Sequence, residues 1–372
     1  MPVLIIGCLL ILFWIAAIYS VSIFSSFQLT LSKFWDPSNY FYFLRHIKYL
    51  IIWILIWLIV YKIPLEFIKK YKNKIFIWAL ILQLLVFTPL WLKLKGAAGW
   101  IKIPLPWFST LQPAEIFKLA FVIFLAWWLL KKKKLLKTPE WFFQFIFVIS
   151  IFFLIFLKIP DLWTLLILWP VSLIMYRYAG WKFKYVVTFL VIWLILGLTI
   201  WMQFSYIRKR IDFFINPDID VSWRWIWWQT KQALIAVWAW WLFGNGYWKW
   251  LQKFWYIPEA YSDFIFAAFS EEIWFIWNLI LLFLYFSLVY FSLKAIKNIY
   301  DEYYKLLGIW IISLIFIQAF VNIWVNIKLL PITGITLPFI SYGGTSLIIN
   351  IVELVLLYKL YLISQKSWKD LS

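Results

Sequence analysis

Ile257-Pro258-Glu259-Ala260-Tyr261-Ser262-Asp263-Phe264-Ile265-Phe266-Ala267-Ala268-Phe269-Ser270-Glu271-Glu272 runs into a long apolar segment that starts at Ile273. Pro258 suits the first turn of a helix, and the acids that follow suit a helix start. The stretch predicts a helix entered from a polar loop, with Asp263 about one turn inside it. A carboxylate at that depth costs free energy to desolvate, which makes Asp263 a candidate functional residue. For Glu259 a helix-start acid favoured by the macrodipole is an equal explanation.

The rest of the chain has the same apolar character. Of 372 residues, 66% are hydrophobic, and the mean hydropathy is +0.88. Polar residues are too few to cover a soluble globule of this size. The apolar runs are helix-length and do not alternate, so the fold class is all-α: a polytopic membrane bundle. About ten spans are expected, near 3–24, 41–61, 75–92, 114–130, 141–157, 160–176, 183–203, 263–292, 306–327 and 340–363. They form one integral membrane domain over 1–372, with a long extracytoplasmic loop between the seventh and eighth spans, about 204–262. The first run has neither a basic leader nor a small-residue cleavage site, so it is expected to be retained as a helix.

Charge sets the orientation. The formal net charge is +19. With a cytoplasmic N-terminus, inner loops and tail hold nineteen Lys and Arg (62, 69, 70, 72, 74, 131–134, 137, 177, 182, 184, 294, 297, 305, 359, 366 and 369). The short outer loops hold six: Lys33, Lys93, Lys95, Lys102, Lys158 and Lys328. That asymmetry follows the positive-inside rule and puts both termini in the cytoplasm. The basic excess is therefore topology, with membrane lipids as neighbours, and nucleic acid falls away as a partner. One cysteine and one histidine exclude an internal disulfide and Cys- or His-rich metal sites. Chemistry is left to carboxylates, Lys, Arg, Tyr and backbone groups.

Thirty-one Trp against eleven Gly is an anomaly, because membrane helices ordinarily use extra glycine where backbones approach. Aromatic belts sit at interfaces, whereas these tryptophans run through loops and mid-helix alike. One codon reassignment accounts for the pattern. If the source reads UGA as glycine, many of these positions carry glycine in the native protein.

Further candidates lie outside the opening stretch. Arg45 sits near the outer end of the second span, where snorkelling competes with ligand contact. In Gln112-Pro113-Ala114-Glu115-Ile116-Phe117-Lys118, Glu115 and Lys118 are three apart and able to pair. A charged pair this close to a bilayer is either structural or faces a polar cavity. Arg208, Lys209 and Arg210 suit an anionic headgroup or a pyrophosphate. Asn322 and Asn326 share one helix face, which favours interhelical hydrogen bonds. Two prolines and three glycines between Leu330 and Ser346 predict broken helix, with Ser341 and Tyr342 beside backbone groups that line a groove.

Together these blocks resemble the shape, elongation, division and sporulation family, the FtsW/RodA proteins. The resemblance rests on Gln112-Pro113-Ala114-Glu115 with Lys118, Pro160-Asp161, Gln232 with Gly244-Asn245-Gly246, Pro258-Glu259 with Asp263, and Leu337-Pro338-Phe339-Ile340-Ser341-Tyr342-Gly343-Gly344. It implies a ten-helix glycosyltransferase that polymerises lipid II at the outer face of the cytoplasmic membrane. It also implies a class B transpeptidase as partner, and its wording leans towards division-type members. Asp263 matches the family's base. The remaining substrate-binding candidates are Arg45, Trp100, Glu115, Lys118, Arg210, Gln232, Glu259, Ser341, Tyr342, Gly343 and Gly344. Gly99 stands where relatives usually carry Arg. The family also has glycine at Trp163, Trp238, Trp241, Trp274, Trp277 and Trp324, in line with the reassignment. No cofactor is demanded, although a divalent cation, Mg or Mn, is compatible with a pyrophosphate leaving group. A transporter of the lipid-linked precursor and a non-catalytic scaffold are the competing functions.

Overall fold

The computed structural model describes residues 1–35, 37–88, 91–94, 97–103, 110–131, 138–159, 161–180, 183–203, 205–215, 224–238, 262–272 and 275–369. Within them the helices are α1 (Pro2–Val21), α2 (Ile23–Phe34), α3 (Phe41–Lys62), α4 (Leu65–Leu84), α5 (Pro113–Lys131), α6 (Pro139–Lys158) and α7 (Leu162–Tyr178). They continue with α8 (Phe183–Gln203), α9 (Ser205–Ile215), α10 (Arg224–Trp238), α11 (Ile265–Glu272), α12 (Phe275–Lys297), α13 (Glu302–Asn326) and α14 (Gly344–Lys369). Among the described residues, seven helices are long and apolar enough to cross a bilayer, against about ten spans expected from the sequence.

The structure departs from the sequence-based expectation in two places. Asp263 lies in the turn 262–264, ahead of α11 and not one turn inside a helix. The segment after α4 forms an antiparallel sheet of β1 (Trp91–Leu94), β2 (Ala97–Lys102) and β3 (Thr110–Leu111). Within the long loop, the described residues form α9 and α10.

At the centre are α5, α13 and α14, each largely buried, while α3 and α12 expose apolar side chains such as Ile51, Leu55, Phe283 and Phe286. That is the distribution of helices facing other helices against helices facing hydrocarbon. Close approach is bought with glycine where glycine remains. A Cβ on Gly7 of α1 would stand 2.3 Å from Leu354 Cδ2 of α14, and one on Gly308 of α13 would stand 2.8 Å from Ile296.

The two ends of the bundle differ. At one end Lys69 of α4 pairs with Asp301, the N-cap of α13, at 2.6 Å. At that same end Lys359 of α14 donates to the carbonyls of Val60 and Ile63 at the end of α3. The other end of α13, at Asn326, lies roughly 37 Å away by helical rise. It carries the turn 262–264, the broken segment 331–343 and the head of α14. There the Gln112 amide donates to Thr345 Oγ1 at 3.1 Å, which ties the strand segment to α14.

Candidate active site

The turn 262–264 is where the site candidates meet. Ser341 Oγ donates to the Ser262 carbonyl at 2.6 Å and accepts from the Leu337 amide at 2.7 Å. This hydroxyl binds two chain segments 79 residues apart, and Ser341 is buried. The segment it belongs to is strained: Phe339 is fully buried with φ +65°, a left-handed conformation that costs a bulky residue of order 1–3 kcal/mol. Main-chain bonds from Ile340 and Ser341 to the Leu337 carbonyl hold it there, as does a bond from the Tyr285 hydroxyl of α12 to the Pro338 carbonyl.

Asp263 is half-buried, between the buried Ser262 and Phe264. Its Oδ2 would lie 3.6 Å from a Cβ on Gly334, a residue with φ +74°. Glycine there keeps the side opposite the carboxylate open and takes a backbone angle that other residues resist. Asn322 and Asn326 of α13 both donate to the Asp263 carbonyl, at 3.1 and 3.0 Å.

Arg45 lies half-buried on α3, with Nε donating to the Tyr49 hydroxyl at 3.0 Å. The next residue, His46, is sandwiched between Trp14 (5.2 Å) and Tyr342 (4.2 Å), and Tyr42 meets Tyr342 edge-on at 5.6 Å. Desolvation pushes the Tyr342 phenol above its ordinary range. Gly343 and Gly344 follow it into α14.

Glu115 and Lys118 do pair, at 2.9 Å, and both are buried. Lys118 also donates to Gln318 Oε1 at 3.0 Å. Its ammonium is thereby held by two side chains inside the bundle. At the head of α7, Asp161 caps Thr164, accepting from its amide at 3.2 Å and its hydroxyl at 2.7 Å. Desolvation pushes the Asp161 carboxyl above its ordinary range, with the Thr164 bonds opposing that rise. Arg210 of α9 donates to the Ile332 carbonyl at 2.6 Å, tying the loop helix to the broken segment. Gln232 is buried on α10, which packs on α11. Trp100 is half-buried on β2 opposite Leu92. Glu259 and the Gly244-Asn245-Gly246 turn lie outside the described residues.

Two residues escaped the sequence-level search. Gln318 stands four before Asn322 on the same helix, so the signal was an amide at the next helical repeat. Glu353 is a buried acid inside the apolar α14, and a lone carboxylate in such a run was signal enough. No group of three His, Cys, Asp or Glu comes together among the described residues in a way that holds a metal ion.

The family model for the cell cycle proteins FtsW, RodA and SpoVE matches residues 3–366. The chain belongs to this family. One relative, described as a probable peptidoglycan glycosyltransferase FtsW, from Wigglesworthia glossinidia brevipalpis, is 33% identical over 84% of this chain and 81% of its own. The stage V sporulation protein E of Bacillus subtilis is 35% identical over 68% of each chain. Among solved structures, a chain of a peptidoglycan synthase complex superposes with TM-score 0.71 at 22% identity, covering 97% of this chain and 98% of its own. The rod shape determining protein RodA of Thermus thermophilus gives 0.68 at 17% identity, covering 98% and 96%. The polytopic helical architecture of this chain is thus the family's.

Proposed function

We propose that this protein is a peptidoglycan glycosyltransferase that polymerises lipid II, with Asp263 as the base. The observation that carries the proposal is the placement of Asp263. A half-exposed carboxylate sits on a turn pinned by Ser341, Asn322 and Asn326, at the end of the bundle remote from the Lys69–Asp301 pair. By the positive-inside rule the lysine-rich end is cytoplasmic, so Asp263 belongs to the outer face, with both termini inside.

In the reaction, a sugar hydroxyl of one lipid-linked disaccharide attacks the anomeric carbon of another. A new C–O bond forms, the bond to the lipid pyrophosphate breaks with its electron pair, and Asp263 accepts the hydroxyl proton. The leaving pyrophosphate needs positive charge. Arg45 and Arg210 supply it from the two sides of the broken segment, whereas Lys118 acts only from behind, through Gln318. A divalent cation carried in by the pyrophosphate is compatible with this scheme, and chelation during turnover tests for it. A class B transpeptidase is the partner that cross-links the product, in keeping with the similarity to a chain of a peptidoglycan synthase complex. A role in division is favoured over elongation by the relatives named FtsW.

The test is polymerisation of purified lipid II by the purified full-length protein. Asp263→Asn is expected to insert normally into membranes and to make no polymer. Full activity in that variant removes Asp263 from the mechanism, and transbilayer movement of lipid II without polymer establishes a transporter instead.

A further inference from the structure

We infer that the amide ladder Gln318–Asn322–Asn326 on one face of α13 is a positioning device for Asp263, an inference that rests on Asp263 being the base. The three residues recur every four positions and are all buried. Asn326 grips the Asp263 turn from both sides. Its Nδ2 donates to the Asp263 carbonyl at 3.0 Å, and its Oδ1 accepts from the Ala267 amide at 3.1 Å. Ala267 lies in the first turn of α11, whose amides have no partner within the helix, so Asn326 caps that helix from a different one. Asn322 donates from Nδ2 to the Asp263 carbonyl at 3.1 Å and to the Ile335 carbonyl at 2.7 Å, joining the turn to the segment that contains Gly334. Asn326 Nδ2 also lies 2.9 Å from the Asn322 carbonyl and 3.3 Å from its Oδ1, so the two side chains orient each other.

Gln318 extends the ladder inward. It accepts from Lys118 Nζ and donates from Nε2 to the Thr336 carbonyl at 3.1 Å and hydroxyl at 3.3 Å. The Thr336 hydroxyl shares a 2.8 Å bond with Ser346 Oγ on α14. The buried Glu115–Lys118 pair is thereby connected through Gln318 to Thr336, whose neighbour Ile335 is tied by Asn322 to the Asp263 turn.

The chemistry explains the residue type. The carbonyls of Asp263, Ile335 and Thr336 and the Ala267 amide are satisfied from one helix face in a nearly dry interior, and a carboxamide offers donor and acceptor without charge and with a longer reach than a hydroxyl. Aspartate would turn an anion on the carbonyl oxygens, and leucine would leave them unpaired. None of the three amides reaches the reacting atoms, so their contribution is to geometry, where a misplacement of about 1 Å costs as much as about 10²-fold in rate.

The experiment compares wild type, Asn326→Leu, Asn326→Ser and Asn322→Ser as purified full-length proteins, reading lipid II polymerisation and deuterium exchange over residues 262–269. For Asn326→Leu, kcat is expected to fall about 10²-fold with KM within about twofold, since only the placement of the base is disturbed. Exchange over 262–269 should rise, and Asn326→Ser, which keeps one donor, should recover part of kcat. Asn322→Ser gives the same split in milder form and serves if the leucine variant does not fold. Unchanged kcat with faster exchange, or a loss confined to KM, overturns the positioning role. Unchanged exchange overturns the ladder itself. Wild-type protein that makes no polymer refutes the glycosyltransferase proposal, while the exchange data still decide whether α13 holds the turn.

Discussion

Replacing Lys118 by methionine isolates the buried ion pair. The Lys118 side chain is 2% exposed and that of Glu115 9%, so little solvent screens either group. Methionine keeps most of the volume but removes the donor to Glu115 Oε1 and to Gln318 Oε1. Breaking a buried pair by deleting one partner costs about 3–5 kcal/mol, because the other charge is left uncompensated. With an unfolding entropy of about 2.1 cal/mol/K per residue, a chain of this length loses roughly 1.3 °C per kcal/mol, so the midpoint should fall by roughly 4–6 °C. Exchanging the whole pair for apolar groups, Lys118→Met with Glu115→Leu, is expected to recover most of that loss, leaving about 1–3 kcal/mol for the unpaired Gln318 oxygen. Thermal unfolding of the two proteins in one detergent provides the comparison. A single variant as stable as wild type, or a double variant less stable than the single, refutes the assignment of the pair as a mutually compensating buried unit.

Three further predictions concern glycine. Gly7→Leu forces a side chain into the Leu354 contact between α1 and α14 and should destabilise by about 1–3 kcal/mol, read as a lower thermal midpoint. Gly334→Ala meets a backbone angle of +74° and should cost about 1–2 kcal/mol there. Because Gly334 faces Asp263, turnover should fall more than the midpoint does, and equal activity with an unchanged midpoint argues against a constrained turn. Peptide masses from the native organism decide the codon question: glycine is expected at 163, 240 and 274, and intact tryptophan at all three ends it.

Most of the bundle was legible because apolar runs of membrane length have one physical solution, the helix. Their ends were less so. The expected third span began at 75, yet α4 starts at Leu65, since Lys69 and Lys72 extend a helix beyond the apolar layer without breaking its backbone. The strands β1 and β2 were missed because Leu92, Leu94 and Ile101 lie in a stretch without regular alternation. Asp263 was set too deep, because the turn that holds it draws its bonds from Ser341, Asn322 and Asn326, far away in sequence. The Ser341 hydroxyl is engaged by Ser262 and Leu337, and side-chain pairing of that kind leaves no periodic trace. Gln318, by contrast, did carry a periodic signal, four positions before Asn322.

The bond from Ser341 to Ser262 has a consequence for biogenesis. A ribosome delivers residue 262 long before residue 341, so during membrane insertion the Asp263 turn waits, without its main latch, for a hairpin not yet synthesised. A chain that stops short of residue 341 carries Asp263 without the hydroxyl that fixes its turn, so the order of synthesis sets the order in which this corner of the molecule can close.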